Sequence, residues 1–183
     1  MKYCYECGMK LIPKALDGEG IIPYCQTCRT FRFPIFSAAV SMIVKNPAKD
    51  KILLIQQYGT KNNVLVAGYI NKGENAENAV IREVKEETGL TVVYHNFNKS
   101  EYFPRTNTLM FNFVCVADSE DLSGLNTKEV DKAQWFTIEE AIENIMPNSL
   151  AQKFLLASIG GAVRGGVPPL SICSHQVNLE SAH

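Results

Sequence analysis

Gly68-Tyr69-Ile70-Asn71-Lys72-Gly73-Glu74-Asn75-Ala76-Glu77-Asn78-Ala79-Val80-Ile81-Arg82-Glu83-Val84-Lys85-Glu86-Glu87-Thr88-Gly89-Leu90 is the stretch whose reading decides the fold. Its second half, Glu77 to Thr88, predicts a helix that stops at Gly89, a residue suited to a C-terminal cap. Glu83 and Glu87 are four apart and Glu86 is three from Glu83, so a helix places all three on one face. Val80, Ile81 and Val84 mark the opposite, core-facing side. Like charges at this spacing repel by about 0.2–0.5 kcal/mol per pair in an isolated helix. A divalent cation among them offsets that cost, and hard cations such as Mg²⁺ take oxygen ligands. Arg82 lies one turn from Glu86 and is placed to orient it through a bidentate pair. A bare acidic run of this kind usually marks a solvated helix face, so the wider spacing has to decide.

That spacing runs Gly68, then Glu74 after five residues, then Arg82-Glu83 after seven more, then Glu86-Glu87 and Gly89-Leu90. It fills the pattern G-x5-E-x7-R-E-U-x-E-E-x-G-U at every defined position (U is a bulky aliphatic). The segment resembles the Nudix box. The resemblance implies an α/β fold, a Nudix α/β/α sandwich with a mixed sheet, and hydrolysis of a nucleoside diphosphate linked to another moiety. It also implies Mg²⁺ or Mn²⁺ held by Glu83, Glu87 and the backbone carbonyl of Ala67, with Glu86 as a further ligand or as the base. A pyrophosphate is shielded by its own charge. Bound cations neutralise it and lower the pKa of a water, from which a glutamate can take the proton.

Outward from this segment the chain alternates strand-like and turn-like stretches. Ile35 to Val44, Lys51 to Gln57 and Asn63 to Ala67 are apolar runs of strand length separated by turn residues. Strands are expected at Thr91 to Phe97, Thr108 to Val116 and Gln134 to Phe136. Thr137 followed by Glu140 forms a capping box for a helix. A last helix is expected over Ser149 to Ile159. Residues 161–183, rich in Gly and Pro, read as an irregular or flexible tail.

Cys4, Cys7, Cys25 and Cys28 form two C-x-x-C pairs within residues 1–31, a segment too small to fold without a staple. This is the spacing of a four-cysteine zinc ribbon, and Gly8 supplies the tight turn after the first pair. Four thiolates with no open position point to structural Zn²⁺, whose binding would supply most of the folding energy of the segment. A redox role would require a strand–turn–helix around one pair, and neither pair has one. Cys115, in the apolar run Phe111 to Val116, reads as core.

A zinc ribbon (1–31) directly before a Nudix domain (32–160) resembles the NADH pyrophosphatase family. Phe33-Pro34, Val66-Ala67-Gly68-Tyr69, Lys128-Glu129 through Trp135-Phe136, and Pro147 to Ala151 match its elements. The resemblance makes Glu129 another metal ligand. It places Phe33, Tyr69, Ser100, Phe103 and Ala151 at the substrate, with Phe33 reaching a partner protomer's site. Arg105, absent from that family's array, is a candidate for a substrate phosphate or a solvated loop residue. His95 is expected to be structural. The family's S-Q-P-W-P-F-P array, followed by x-S-L-M, is altered here. Ser100, Pro104, Leu109 and Met110 match and Phe103 keeps an aromatic, while the other prolines are lost. Many members carry a further domain before the ribbon. This sequence starts at the ribbon, so contacts from such a domain are not expected.

The leading expectation is cleavage of NAD(H) to NMN(H) and AMP, a chemistry that also fits an NAD-capped RNA. ADP-ribose, FAD or another nucleotide is the near alternative. A ribbon that binds RNA or protein beside an inert Nudix domain is the alternative of another class, and the intact box glutamates argue against it. The bulk properties agree. In 183 residues, 46% are hydrophobic and 20% charged, with a formal net charge of −1, which argues against a general nucleic-acid binder. No long apolar span or leader pattern is seen, so a cytoplasmic enzyme with no membrane association is expected. The resemblance implies a homodimer, and nothing in the hydrophobic pattern independently shows one.

Overall fold

A computed structural model describes residues 1–162. The expected tail from 163 onward lies outside the described residues. The N-terminal segment forms a three-stranded antiparallel sheet of β1 (Ile12–Leu16), β2 (Gly20–Cys25) and β3 (Thr30–Phe31). Little apolar surface is buried in it: Cys4, Leu11 and Cys25, with Cys28 packed against them. Such a core is too small to hold a fold on its own.

The rest is a six-stranded mixed sheet with helices on both faces, the α/β/α sandwich expected from the sequence. Its strands are β4 (Ser37–Lys45), β5 (Lys51–Gln57), β6 (Val66–Tyr69), β7 (Val92–Phe103), β8 (Thr108–Ala117) and β9 (Val130–Thr137). The order is β7-β8-β4-β5-β9, with β6 paired to β4. β4 is central: it runs parallel to β8 and antiparallel to β5 and β6. Alternation along β4 and β5 builds two cores. Val40, Met42, Val44, Leu53 and Ile55 face α1 (Ala76–Thr88) with Val80 and Val84. Ile43, Ile52 and Leu54 face α2 (Ile138–Asn144) and α3 (Leu150–Ala162) with Phe154 and Leu155. Each fully buried Leu, Ile or Phe contributes about 1.5–3 kcal/mol of transfer free energy. Both faces are covered, which is why β4 and β5 read as continuous apolar runs.

Several boundaries differ from expectation, each for a physical reason. β7 continues six residues past Phe97, because its polar outer half pairs with β8 down to Phe103 and Thr108. As the edge strand it needs no apolar pattern there. The expected third strand lies slightly later, at β6, while Val64 makes only an isolated bridge to Ile55. α3 runs through Gly160 to Ala162 instead of stopping at Ile159. Glycine costs a helix about 1 kcal/mol without forbidding it, and buried Phe154 and Leu155 hold α3 to the sheet. Ile81 proves exposed, not core-facing. Thr137 caps α2 as expected, with both bonds of the capping box present. Cys115 is buried, and His95 stands edge-on to Phe113. Among the described residues no helix is long and apolar enough to cross a membrane.

Candidate active site

The loop from Gly68 and the helix α1 set the acidic side chains. Asn75 caps the helix, its side chain accepting from the Asn78 amide at 2.8 Å. Gly89 ends it in the left-handed conformation, φ 77°. Between the caps Arg82 organises the carboxylates. Its Nε and Nη2 donate to the two oxygens of Glu74 at 2.7 and 2.8 Å. Its Nη1 donates to Glu83 Oε1 at 2.7 Å and Glu86 Oε2 at 3.0 Å, and Nη2 reaches the Tyr69 carbonyl at 3.0 Å. The bidentate partner of Arg82 is therefore Glu74, not Glu86 as the helix spacing suggested. The loop brings Glu74 to the guanidinium edge, while Glu86 meets only one nitrogen. The guanidinium beside it, aided by the Asn71 amide, holds the Glu74 carboxyl down at about 2.

Glu87 is different. It is 4% exposed, and its Oε2 is buried without a hydrogen-bond partner. Burial pushes its pKa up to about 8, against the influence of Gln57, and the charges of Glu83, Glu129 and Glu86 add to the rise. Helix spacing alone placed the three glutamates on one face. In the fold, Glu86 is 55% exposed while Glu83 and Glu87 turn inward toward β6. Gly68 makes this close approach possible: a Cβ there would lie 1.9 Å from the Glu83 carboxyl carbon.

Glu129 arrives from the far side. The Asn126 amide donates to the Glu87 carbonyl at 3.0 Å, and the amides of Glu129 and Val130 return to the Asn126 carbonyl. Gly89 and Gly124 meet backbone to backbone just behind, where a Cβ on Gly89 would come within 2.7 Å of Gly124. These contacts fasten the loop carrying Glu129 to the end of α1.

Ala67, Gly68, Glu83, Glu87 and Glu129 form one wall of a cavity of about 710 Å³. Gln57, Tyr58, Tyr69, Phe103, Thr106, Met110 and Leu150 are among its other lining residues. The size suits a nucleotide-scale ligand. Of the candidate substrate residues, Tyr69 and Phe103 line it. Ser100, Arg105, Ala151 and Phe33 do not. Ser100 sits three positions from Phe103 on β7, so strand alternation turns it to the other face. Arg105 is exposed in the β7–β8 turn. Ala151 packs on the core beneath α3, where its neighbour Leu150 reaches the cavity. Phe33 is exposed ahead of β4. Tyr58 was passed over in the sequence, because Tyr58-Gly59 looks like the start of an ordinary turn.

The donor types are those a hard divalent cation takes, although among the described residues only the four cysteines bring their ligand atoms within 4.8 Å of one another. A buried, unpartnered carboxylate oxygen faces two further glutamates, and Arg82 occupies only one oxygen each of Glu83 and Glu86. The four cysteines fit a second metal. Their sulfurs all lie within 4.8 Å of one another, with Cys7–Cys25 at 3.5 Å and Cys4–Cys28 at 3.9 Å. Tetrahedral zinc at about 2.3 Å from each sulfur needs separations of about 3.8 Å, whereas a disulfide needs about 2.05 Å. Both pairs turn left-handed one residue after their second cysteine, at Gly8 (φ 73°) and Arg29 (φ 54°). Buried Arg32 donates from Nε to Cys4 Sγ at 3.2 Å, and it also engages Tyr5 and Glu6. Burial acts to raise the Cys4 thiol, yet the amides of Cys7 and Glu6 together with Arg32 bring it down to about 6. Cys28 is pushed up to about 12, chiefly by Cys7. Thiols this close compete for protons, and the spacing of the four sulfurs is compatible with a cation among them.

A sandwich whose box helix turns glutamates toward a nucleotide-sized cavity defines a class, and comparison with known families agrees. The NUDIX domain profile matches residues 36–155, and the chain belongs to that family. NAD-capped RNA hydrolase NudC of Escherichia coli O157:H7 is 29% identical over 156 residues, covering 84% of this chain and 58% of that protein. The chain thus spans 58% of the length of the curated relatives it matches. A NUDIX hydrolase from Nitrosomonas europaea shares the fold at a TM-score of 0.59 and 19% identity, over 88% of this chain and 94% of the other. So does the NUDIX domain of Shewanella oneidensis NrtR in complex with ADP ribose, at 0.59 and 15%, over 76% and 94%.

Proposed function

We propose that this chain is a metal-dependent pyrophosphohydrolase that cleaves a dinucleotide, with NAD(H) giving NMN(H) and AMP as the favoured reaction. The buried, unpartnered Glu87 carboxyl beside Glu83 and Glu129, on the wall of an aromatic-lined cavity, carries this reading. Glu83, Glu86, Glu87, Glu129 and the Ala67 carbonyl would hold Mg²⁺ or Mn²⁺. When bound, such a cation neutralises the pyrophosphate and acidifies a water. Arg82 hydrogen-bonds Glu83 and Glu86, and Glu86, more exposed than its neighbours, would be a further ligand or the base that takes the proton from the water. Tyr69 and Phe103 present apolar surface to the substrate's rings. Phe33, away from this cavity, serves a partner protomer's site in a homodimer. The four cysteines would hold structural Zn²⁺. None of the five described cysteines is in a disulfide, which suits a reducing, cytoplasmic setting.

The similarity to NudC, an NAD-capped RNA hydrolase, supports the dinucleotide substrate and extends it to an NAD-capped RNA. The altered segment Ser100 to Met110 favours keeping ADP-ribose and FAD as a second reading, since Phe103, Thr106 and Met110 from it line the cavity. The test is incubation of zinc-loaded protein with NADH, NAD⁺, ADP-ribose or FAD in Mg²⁺ or Mn²⁺, followed by chromatography. AMP with NMN(H), formed faster than product from ADP-ribose, is expected. Turnover of ADP-ribose or FAD alone would keep the chemistry and reject NAD(H) as the substrate.

A further inference from the structure

The turn after β5 forms part of the cavity wall, with Gln57 and Tyr58 lining it. Tyr58 and Gly59 both have positive φ, 55° and 69°, and the Thr60 amide donates to the Gln57 carbonyl at 3.1 Å. Two successive left-handed residues closed by that bond make a type I′ turn, whose first central position favours Asn, Asp or Gly. A bulky aromatic there is an outlier. Burial does not compensate, because Tyr58 is 84% exposed. A strained conformation that packing does not reward points to a role at the surface it faces.

The turn is also fastened. Asp131 Oδ2 accepts from the Gly59 amide at 2.7 Å, and the Thr60 hydroxyl donates to the Gln57 carbonyl at 3.0 Å. Asp131 lies two residues beyond Glu129, which lines the same cavity as Tyr58. The tyrosine is thereby tied to the strand that leads away from the acidic wall. A flexible loop would lose entropy on ordering around a ligand; a pinned turn has already lost it.

We infer that Tyr58 is a substrate-binding residue, a fixed platform on which a planar aromatic ring of the substrate, nucleobase or nicotinamide, stacks. This rests on the nucleotide pyrophosphohydrolase reading. Tyr69 lines the same cavity, so a dinucleotide with two rings finds two tyrosines. Stacking on an aromatic side chain tolerates any ring with a π face, and it supplies affinity without reading hydrogen bonds.

The test compares wild-type protein with Tyr58→Phe, Tyr58→Ala and Tyr58→Asn, measuring KM and kcat for NAD⁺ and ADP-ribose together with Tm. Tyr58→Phe should keep KM within about twofold, since the ring remains. Tyr58→Ala and Tyr58→Asn should raise KM between about 5- and 150-fold, with kcat little changed. Tyr58→Asn suits the left-handed turn, so its Tm should equal or exceed that of wild type even as KM rises. A purely structural residue would show the reverse, a lower Tm and an unmoved KM. A penalty larger for NAD⁺ than for ADP-ribose assigns the ring to nicotinamide, and equal penalties assign it to adenine. An unchanged KM in both Ala and Asn variants overturns the platform alone. Wild-type protein that turns over no nucleotide overturns the activity, and the platform with it.

Discussion

Glu87 holds a proton at neutral pH unless a cation replaces it. Its folded pKa of about 8 stands above the ordinary value of 4.5. Below 4.5 the group is neutral in folded and unfolded chains alike. Between there and about 8, the folded protein keeps a proton that the unfolded chain has lost, so stability falls as pH rises. Cation-free protein should therefore melt at a lower temperature at pH 9 than at pH 6, and Glu87→Gln should flatten that difference while abolishing turnover. Cation binding near pH 7 should release about one proton, seen by calorimetry in buffers of different ionisation enthalpy. Arg32 gives a second case. It is 5% exposed and sits against Cys4 Sγ. Arg32→Leu should weaken zinc retention by about 10–100-fold in a chelator competition, and an unchanged affinity would show that the contact is only packing. The glutamates and cysteines could be singled out in the sequence by their spacing, whereas Arg32, which no motif marks, could not. Two further things were not legible there: which glutamate is buried, which depends on the strands behind it, and the strain at Tyr58, which no spacing records.

Among the elements, α1 was readable nearly to the residue: Glu77 to Thr88 was expected, Ala76–Thr88 is found, and Gly89 ends it as expected. The outer half of β7 was not, because an edge strand needs only partners for its backbone and Asn98 to Phe103 carries no alternating pattern. Ile81 was misjudged because it lies about 100° round the helix from Val80, at the edge of the buried stripe, where it is exposed. The meeting of β6 with α1 yields a sharper expectation. A methyl group at Gly68 would overlap the Glu83 carboxylate. Gly68 needs no unusual backbone, so Gly68→Ala should fold normally yet lose about 10–100-fold in Mn²⁺ affinity, read by titration. Wild-type affinity in that variant would remove Glu83 from the ligand set.

The described residues form two sheets with separate cores. The ribbon's few buried residues predict that chelating zinc melts residues 1–31 while the Nudix sandwich keeps its own transition. Differential scanning calorimetry with and without chelator would show this, and a single shared transition would argue against it. The sandwich was foreseeable from the box and from alternation, but the strand order was not, since it depends on contacts between distant segments. The parallel pairing of β4 with β8 joins Ser37 to Thr108 and Lys45 to Val116. During synthesis the central strand waits for a neighbour about 70 residues downstream, a delay of about 4–15 s at ordinary ribosomal rates. The N-terminal segment, built from contacts between near neighbours, can form within that interval. The nascent chain thus emerges with one edge of its central strand still lacking the β8 partner, and an unpaired edge is the surface a chaperone would have to shield in that interval.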